Sequence, residues 1–235
     1  MSKLRLCESK KLHYGKYLYK LKIITPLAGI FRTDLQKNKN GTLAYAKERI
    51  DSYYNDSRNG EQATIKKFRA SIVISTDELL DANSIYTALR NSLGHLIRCE
   101  YNTLIIYTNH KDILIKLSKK LKTNSVEFWE PDDSVVEFLK NNANTIIVDK
   151  LPRFPYKITF GRKAPKPEFR VWLLNNRNKV QVGPILMKNL SNEYSYIQGQ
   201  YIYVRDENVI FLLQLMIGDN ISRIDKLVCK ANIDK

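Results

Sequence analysis

The chain has 235 residues, with 39 Lys/Arg against 24 Asp/Glu, a formal charge of +15 and a pI near 9.6. Hydrophobic residues at 43% and charged residues at 27% are the balance of a globular protein with one large or two small domains, which excludes a fibrous or disordered chain. Three scattered cysteines (Cys7, Cys99, Cys229) and three scattered histidines (His13, His95, His110) exclude a disulfide scaffold and a clustered zinc site.

From the N-terminus, Lys3 to Cys7 is expected to be the hairpin partner of the alternating strand Tyr17 to Ile24. Residues 35–41 read as a polar loop and Leu43 to Tyr53 as a helix, while Asn55 to Gln62 (NDSRNGEQ) is the most disorder-prone stretch. Residues 1–69 are thus read as a basic N-terminal segment, a strand or hairpin plus helix and partly mobile.

The middle alternates more regularly. Ala70 to Ser75 is a strand, and Asp77 is the expected N-cap of a helix carrying Leu79, Leu80, Ile85, Leu89 and Leu93. His95–Glu100 and Thr103–Thr108 form a hairpin around Tyr101-Asn102, Lys111–Leu121 a helix and Ser125–Trp129 a closing strand. The order is βαββαβ. A short helix around Val135–Leu139 and a strand Thr145–Val148 precede the linker Leu151–Pro155.

The same order returns after residue 150. Tyr156–Phe160 is a strand, Pro167 opens a helix, Lys179–Val182 and Tyr201–Arg205 are strands, Asp206 caps an apolar helix over 209–217, and Ile221–Val228 closes the unit. Residues 106–113 superpose without a gap on 202–209, an offset of 96. The fold class expected is α+β: two tandem ferredoxin-like (βαββαβ) antiparallel modules, 70–150 with its connector and 151–235, behind the basic extension.

The charge is unevenly placed. Residues 1–69 carry 16 Lys/Arg against 6 Asp/Glu, residues 70–130 carry 7 against 7, and residues 153–179 carry 8 against 1. Two basic blocks flanking a neutral middle point to a polyanion, because Lys and Arg neutralise phosphates and release counterions. No apolar run approaches the roughly 20 residues of a membrane-crossing helix. The basic stretches also lack an amphipathic apolar face, so a membrane is not an expected partner. The N-terminus has no apolar stretch of the secretory kind, and the expectation is an intracellular protein.

No phosphate-binding loop, dinucleotide fingerprint, nucleophile elbow or HExxH helix is present, and no cofactor or metal is expected. Tyr17-Leu18-Tyr19-Lys20 has the Tyr-x-x-Lys spacing of strand-nicking replication nucleases but lacks their paired histidines. The tandem architecture resembles CRISPR RNA-processing endonucleases, without their C-terminal glycine-rich loop. That resemblance implies metal-independent cleavage, for which His13 in its basic setting is the candidate base.

Tyr201, Tyr203 and Arg205 share one face of a strand whose other face holds Ile202 and Val204. Tyr201-Ile202-Tyr203-Val204 loosely resembles the third-strand signature of RNA-recognition motifs, which implies base stacking by the tyrosines. The expected partner is therefore single-stranded RNA or DNA, and a viral or mobile-element accessory role suits the size and composition. The expected contacts are Lys10, Lys11, Lys16, Lys20, Lys22, Lys66, Lys67 and Arg69 in the first basic block. Lys157, Arg162, Lys163, Lys166, Tyr201, Tyr203 and Arg205 complete the set.

Overall fold

Alternation sets the first sheet. In strand β2 (Tyr19–Ile24), Leu21 and Ile23 are fully buried while Lys20 and Lys22 turn to the opposite face. The structure is a computed structural model describing residues 4–32, 39–67, 70–122, 125–163, 165–191 and 197–233. It is a mixed α+β chain of two compact units. One holds the residues up to Ser9 and Lys16–Asp132; the other holds Lys10–Gly15 and the residues from Asp133 onward.

The first unit has a five-stranded sheet. Besides β2 it contains β1 (Leu4–Glu8), β5 (His95–Glu100), β6 (Thr103–Thr108) and β7 (Val126–Glu130), in the order β1-β7-β2-β6-β5. Every neighbouring pair is antiparallel except β1 and β7, which run parallel. Leu21, Ile23, Leu104, Ile106, Val126 and Phe128 form one core with residues of helices α1 (Lys39–Arg58), α2 (Thr76–Arg90) and α3 (Lys111–Lys120). A separate two-stranded hairpin pairs β3 (Thr64–Lys67) with β4 (Ala70–Val73).

Several expectations are corrected here. The strand at residue 70 does not join the sheet: β4 pairs only with β3 among the described residues, and β2 holds the place between β7 and β6. Strand β2 and helix α1 are thus integral to the first unit and not an extension of it. The reason is burial, since β2 places Leu21 and Ile23 in the core whereas Ala70 and Val73 remain exposed. The segment near Cys7 is not a hairpin partner of β2 but a parallel edge strand on β7. Residues 55–58 of the stretch read as disordered are the last turn of α1. Ser75, not Asp77, caps α2: its hydroxyl accepts the Glu78 N–H while the Glu78 carboxylate accepts the Ser75 N–H, a reciprocal capping box.

The second unit repeats the arrangement. Its strands are β8 (Thr145–Val148), β9 (Tyr156–Phe160), β10 (Val180–Val182), β11 (Tyr201–Val204) and β12 (Ile221–Cys229), and its shorter helices are α4 (Val136–Asn141), before β8, and α6 (Pro184–Asn189), between β10 and β11. They lie in the order β8-β12-β9-β11-β10, with β8 and β12 parallel and the other neighbours antiparallel. Strand for strand this matches the first sheet, including the extra parallel edge strand. β6 and β11 hold equivalent places and end at Thr108 and Val204, while α3 and α7 (Glu207–Ile217) begin at Lys111 and Glu207, all 96 apart.

Because β8 joins this sheet, the second unit starts at Asp133 rather than at 151. Lys10–Gly15 also belongs to it, with the Lys10 carbonyl accepting the Ile147 N–H at 2.7 Å. The core is Ile158, Phe160, Ile202 and Val204 against Phe169 and Leu173 of α5 (Pro167–Asn175) and Val209, Leu213 and Ile217 of α7. Pro167 opens α5 and Asp206 caps α7 by accepting the Val209 N–H at 3.0 Å, as the sequence predicts. No helix among the described residues is long and apolar enough to cross a membrane.

Candidate nucleic-acid interface

With Ile158, Phe160, Ile202 and Val204 committed to the helices, strand alternation sends Lys157, Thr159, Tyr201 and Tyr203 to the other face of the second sheet. Lys157 stands in register with Tyr203 on one side and with Asp225 of β12 on the other. The rings of Tyr201 and Tyr203 meet edge to face, with centroids 5.4 Å apart and planes at 73°. The Lys157 ammonium lies 3.8 Å from the Tyr201 ring centroid, a cation–π contact. Tyr201 keeps 43% of its surface exposed, whereas Tyr203 is half-buried.

Burial sets the electrostatics of this face. It lowers the pKa of Lys157, and the positive charge of Lys11 acts in the same direction. Asp225, 1% exposed, pulls the other way and is itself bonded by Arg223 Nε. Burial likewise raises the pKa of the Tyr203 hydroxyl, with Tyr201 adding to the shift. Lys157 is thus a partly desolvated cation beneath an exposed ring. An aromatic surface backed by a cation accepts a flat π-system and an anionic group together.

The remaining expected residues of this unit differ in exposure and in partners. Arg205 lies just beyond β11, exposed, and donates from Nε to Asp206 at 2.8 Å. That bond, with the Val209 N–H, holds the Asp206 carboxyl below its ordinary range. Arg162, Lys163 and Lys166 are exposed between β9 and α5, and Lys163 pairs with Asp219 at 3.3 Å. Lys10 is bound to Asp149 at 2.8 Å, and Lys11 is half-buried.

In the first unit, Lys20 and Lys22 share the face of β2 away from the helices. The Lys20 ammonium lies 3.7 Å from the Trp129 ring centroid, and Lys22 pairs with Glu127 at 3.3 Å. Burial lowers the Lys20 pKa, and Lys22 contributes in the same sense. Lys16 is exposed beside Tyr17, with 5.6 Å from its ammonium to the ring centroid. Lys66 is exposed on β3, and Lys67 ends that strand. Arg69 lies outside the described residues.

The structure therefore brings together Lys157, Tyr201 and Tyr203 in one unit and Lys20 and Lys22 in the other. Sequence reasoning missed Trp129 and Tyr107 beside Lys20 and the Arg223–Asp225 pair beside Lys157. The second had a signal: Arg223 and Asp225 stand two apart in a strand, on one face, opposite Ile224.

Nδ1 of buried His95 is 2.6 Å from Ser92 Oγ, His110 precedes α3 without capping it through its side chain, and His13 is half-buried. Among the described residues no three His, Cys, Asp or Glu side chains are placed to hold a metal ion. Comparison with known proteins returns no matching family model, no matching curated protein and no matching solved structure.

Proposed function

We propose that this chain binds single-stranded nucleic acid through two ferredoxin-like modules, with Tyr201 and Tyr203 stacking on bases and the surrounding Lys and Arg engaging phosphates. The observation that carries the reading is the exposed Tyr201 ring, held edge-on by Tyr203 and backed by Lys157, in a chain of charge +15. Stacking on an aromatic platform is tolerant of base identity, and the charge supplies the non-specific affinity. Arg162 and Lys166, exposed beside this module, extend the path for the phosphate backbone. The matching strand orders of the two sheets, each with one parallel edge strand, support the tandem-module part of the reading.

Fluorescence anisotropy with labelled single-stranded RNA and DNA tests it. If six to ten phosphates are engaged, affinity falls about 10³–10⁵-fold between 50 and 200 mM salt. Arg162→Gln and Lys166→Gln each reduce the slope of log affinity against log salt by roughly one. An affinity independent of salt overturns the proposal. Cleavage of the same oligonucleotides in EDTA would instead place the chain among metal-independent endonucleases.

A further inference from the structure

Helix α7 has two apolar faces and needs only one. Val209, Leu213 and Ile217 recur every four residues and fill the core of the second unit. Phe211, Leu212, Leu215 and Met216 lie on the remaining surface and are exposed, Leu215 at 69%. Helical spacing makes these four one continuous stripe, with Asn208 at its start and Glu207 and Gln214 outside it.

The first unit supplies an internal control. At the offset of 96, the residues of α3 that correspond to Leu212, Leu215 and Met216 are Lys116, Lys119 and Lys120, all exposed. Their core counterparts are conventional, since Leu117 and Leu121 correspond to Leu213 and Ile217 and all four are buried. Three of the four positions are therefore satisfied by lysine in the first unit, while the counterpart of Phe211, Ile115, packs against that unit's core. Apolar residues at Leu212, Leu215 and Met216 are not a requirement of the unit's own packing.

We propose that this face docks against the same face of a second copy of the chain, helix against antiparallel helix. The stripe is self-complementary. Its order Phe-Leu-x-x-Leu-Met is symmetric about the midpoint between Leu213 and Gln214, so a two-fold axis there sets Leu212 on the partner's Leu215 and Phe211 on the partner's Met216. Charge selects this occupant over others. From Asp206 to Ser222 there is no Lys or Arg, so the helix offers nothing to an anionic lipid surface, an acidic peptide or a phosphate. A chain of charge +15 meets its own copy at least cost where its surface carries no cations. Both ends of the helix carry charges of both signs, Arg205 and Asp206 at one and Lys163 and Asp219 at the other, so an antiparallel pair gathers no single-sign cluster.

Four exposed side chains form a patch on the scale of about 300–600 Å², below the roughly 800 Å² per partner of a standard interface. The expected dimer is weak.

Sedimentation equilibrium of the full chain over about 1–500 µM tests this. The expected result is a monomer–dimer equilibrium that tightens as salt rises, because salt screens the repulsion between copies. Leu215→Lys weakens dimerisation at least tenfold while leaving the circular dichroism and the melting temperature close to wild type, as the lysines of α3 indicate. Leu215→Gln, which adds no charge, weakens it in the same direction and serves if the lysine variant unfolds. The register has its own test: Leu212→Lys and Leu215→Glu chains are each monomeric alone and form a mixed dimer when combined. A chain that stays monomeric throughout the range, a dimer untouched by either Leu215 variant, or a mixture that fails to pair overturns the proposal.

Discussion

On β2 of the first unit Lys20 lies over Trp129, and on β9 of the second Lys157 lies over Tyr201. Each lysine also stands in register with a tyrosine of the adjacent strand, Tyr107 or Tyr203, at the repeat offset of 96. Burial depresses both ammonium pKa values. The outcomes differ because the tyrosines differ in environment. Tyr107 is buried, with Tyr17 6.4 Å away, whereas Tyr203 is half-buried and its neighbour Tyr201 is exposed. The helices diverge in the opposite sense, since α3 shows lysines to solvent where α7 shows leucine and methionine. One strand order thus carries two different surfaces, and chemistry has to be argued from side chains rather than from topology.

The largest expected effect tests whether the N-terminal residues belong to the first unit as fully as Tyr156–Phe160 belong to the second. Leu21→Ala removes a fully buried side chain from β2 and is expected to cost about 2–5 kcal/mol in urea unfolding. A near-wild-type midpoint would return Tyr19–Ile24 to the status of an extension and end the equivalence with β9. Next comes the contrast between tyrosines. Tyr201→Leu is expected to weaken oligonucleotide binding by about 1–3 kcal/mol with little change in the salt slope. Tyr107→Leu is expected to lower the melting temperature and leave affinity per folded molecule unchanged. If Tyr107→Leu weakens binding as strongly, the two faces are not functionally distinct.

Capping provides smaller tests. Ser75→Ala removes the reciprocal cap of α2 and is expected to cost about 0.5–2 kcal/mol by chemical denaturation. The cap of α7 is a carboxylate instead, and so depends on pH. Its folded pKa is below the ordinary 3.8, through Arg205 first and then the Val209 N–H. The unfolded chain therefore binds the proton more readily, and the stabilisation is present above about pH 4 and lost as pH falls through the lower folded value. Asp206→Asn keeps a capping side chain without the charge. Its melting temperature is expected to fall less than that of the wild type between pH 5 and about pH 2.5, the smallest of these effects. Parallel pH profiles for the two proteins would remove Asp206 from the account.

Much was legible because it is local. Period-two alternation placed Tyr156–Phe160, Thr103–Thr108 and Tyr201–Val204, and the same alternation put Tyr201 and Tyr203 opposite Ile202 and Val204. Pro167 and Asp206 marked helix starts through backbone chemistry confined to one turn. The spacing of 96 between corresponding elements could be counted directly. What the chain order could not supply was pairing. Two strand-like segments, Tyr19–Ile24 and Ala70–Val73, compete for one place in the first sheet, and both fit the period. Only the tertiary structure decides between them, because the choice rests on which side chains are removed from water by helices distant in sequence, and Leu21 and Ile23 bury fully where Ala70 and Val73 do not. The same holds for the edge strands β1 and β8, whose parallel partners lie about 120 and 80 residues away and leave no local trace in the chain. It holds as well for the basic residues, whose number is fixed by composition but whose company is not: folding sets Lys157 on Tyr201, Lys20 on Trp129, and Lys10 against Asp149.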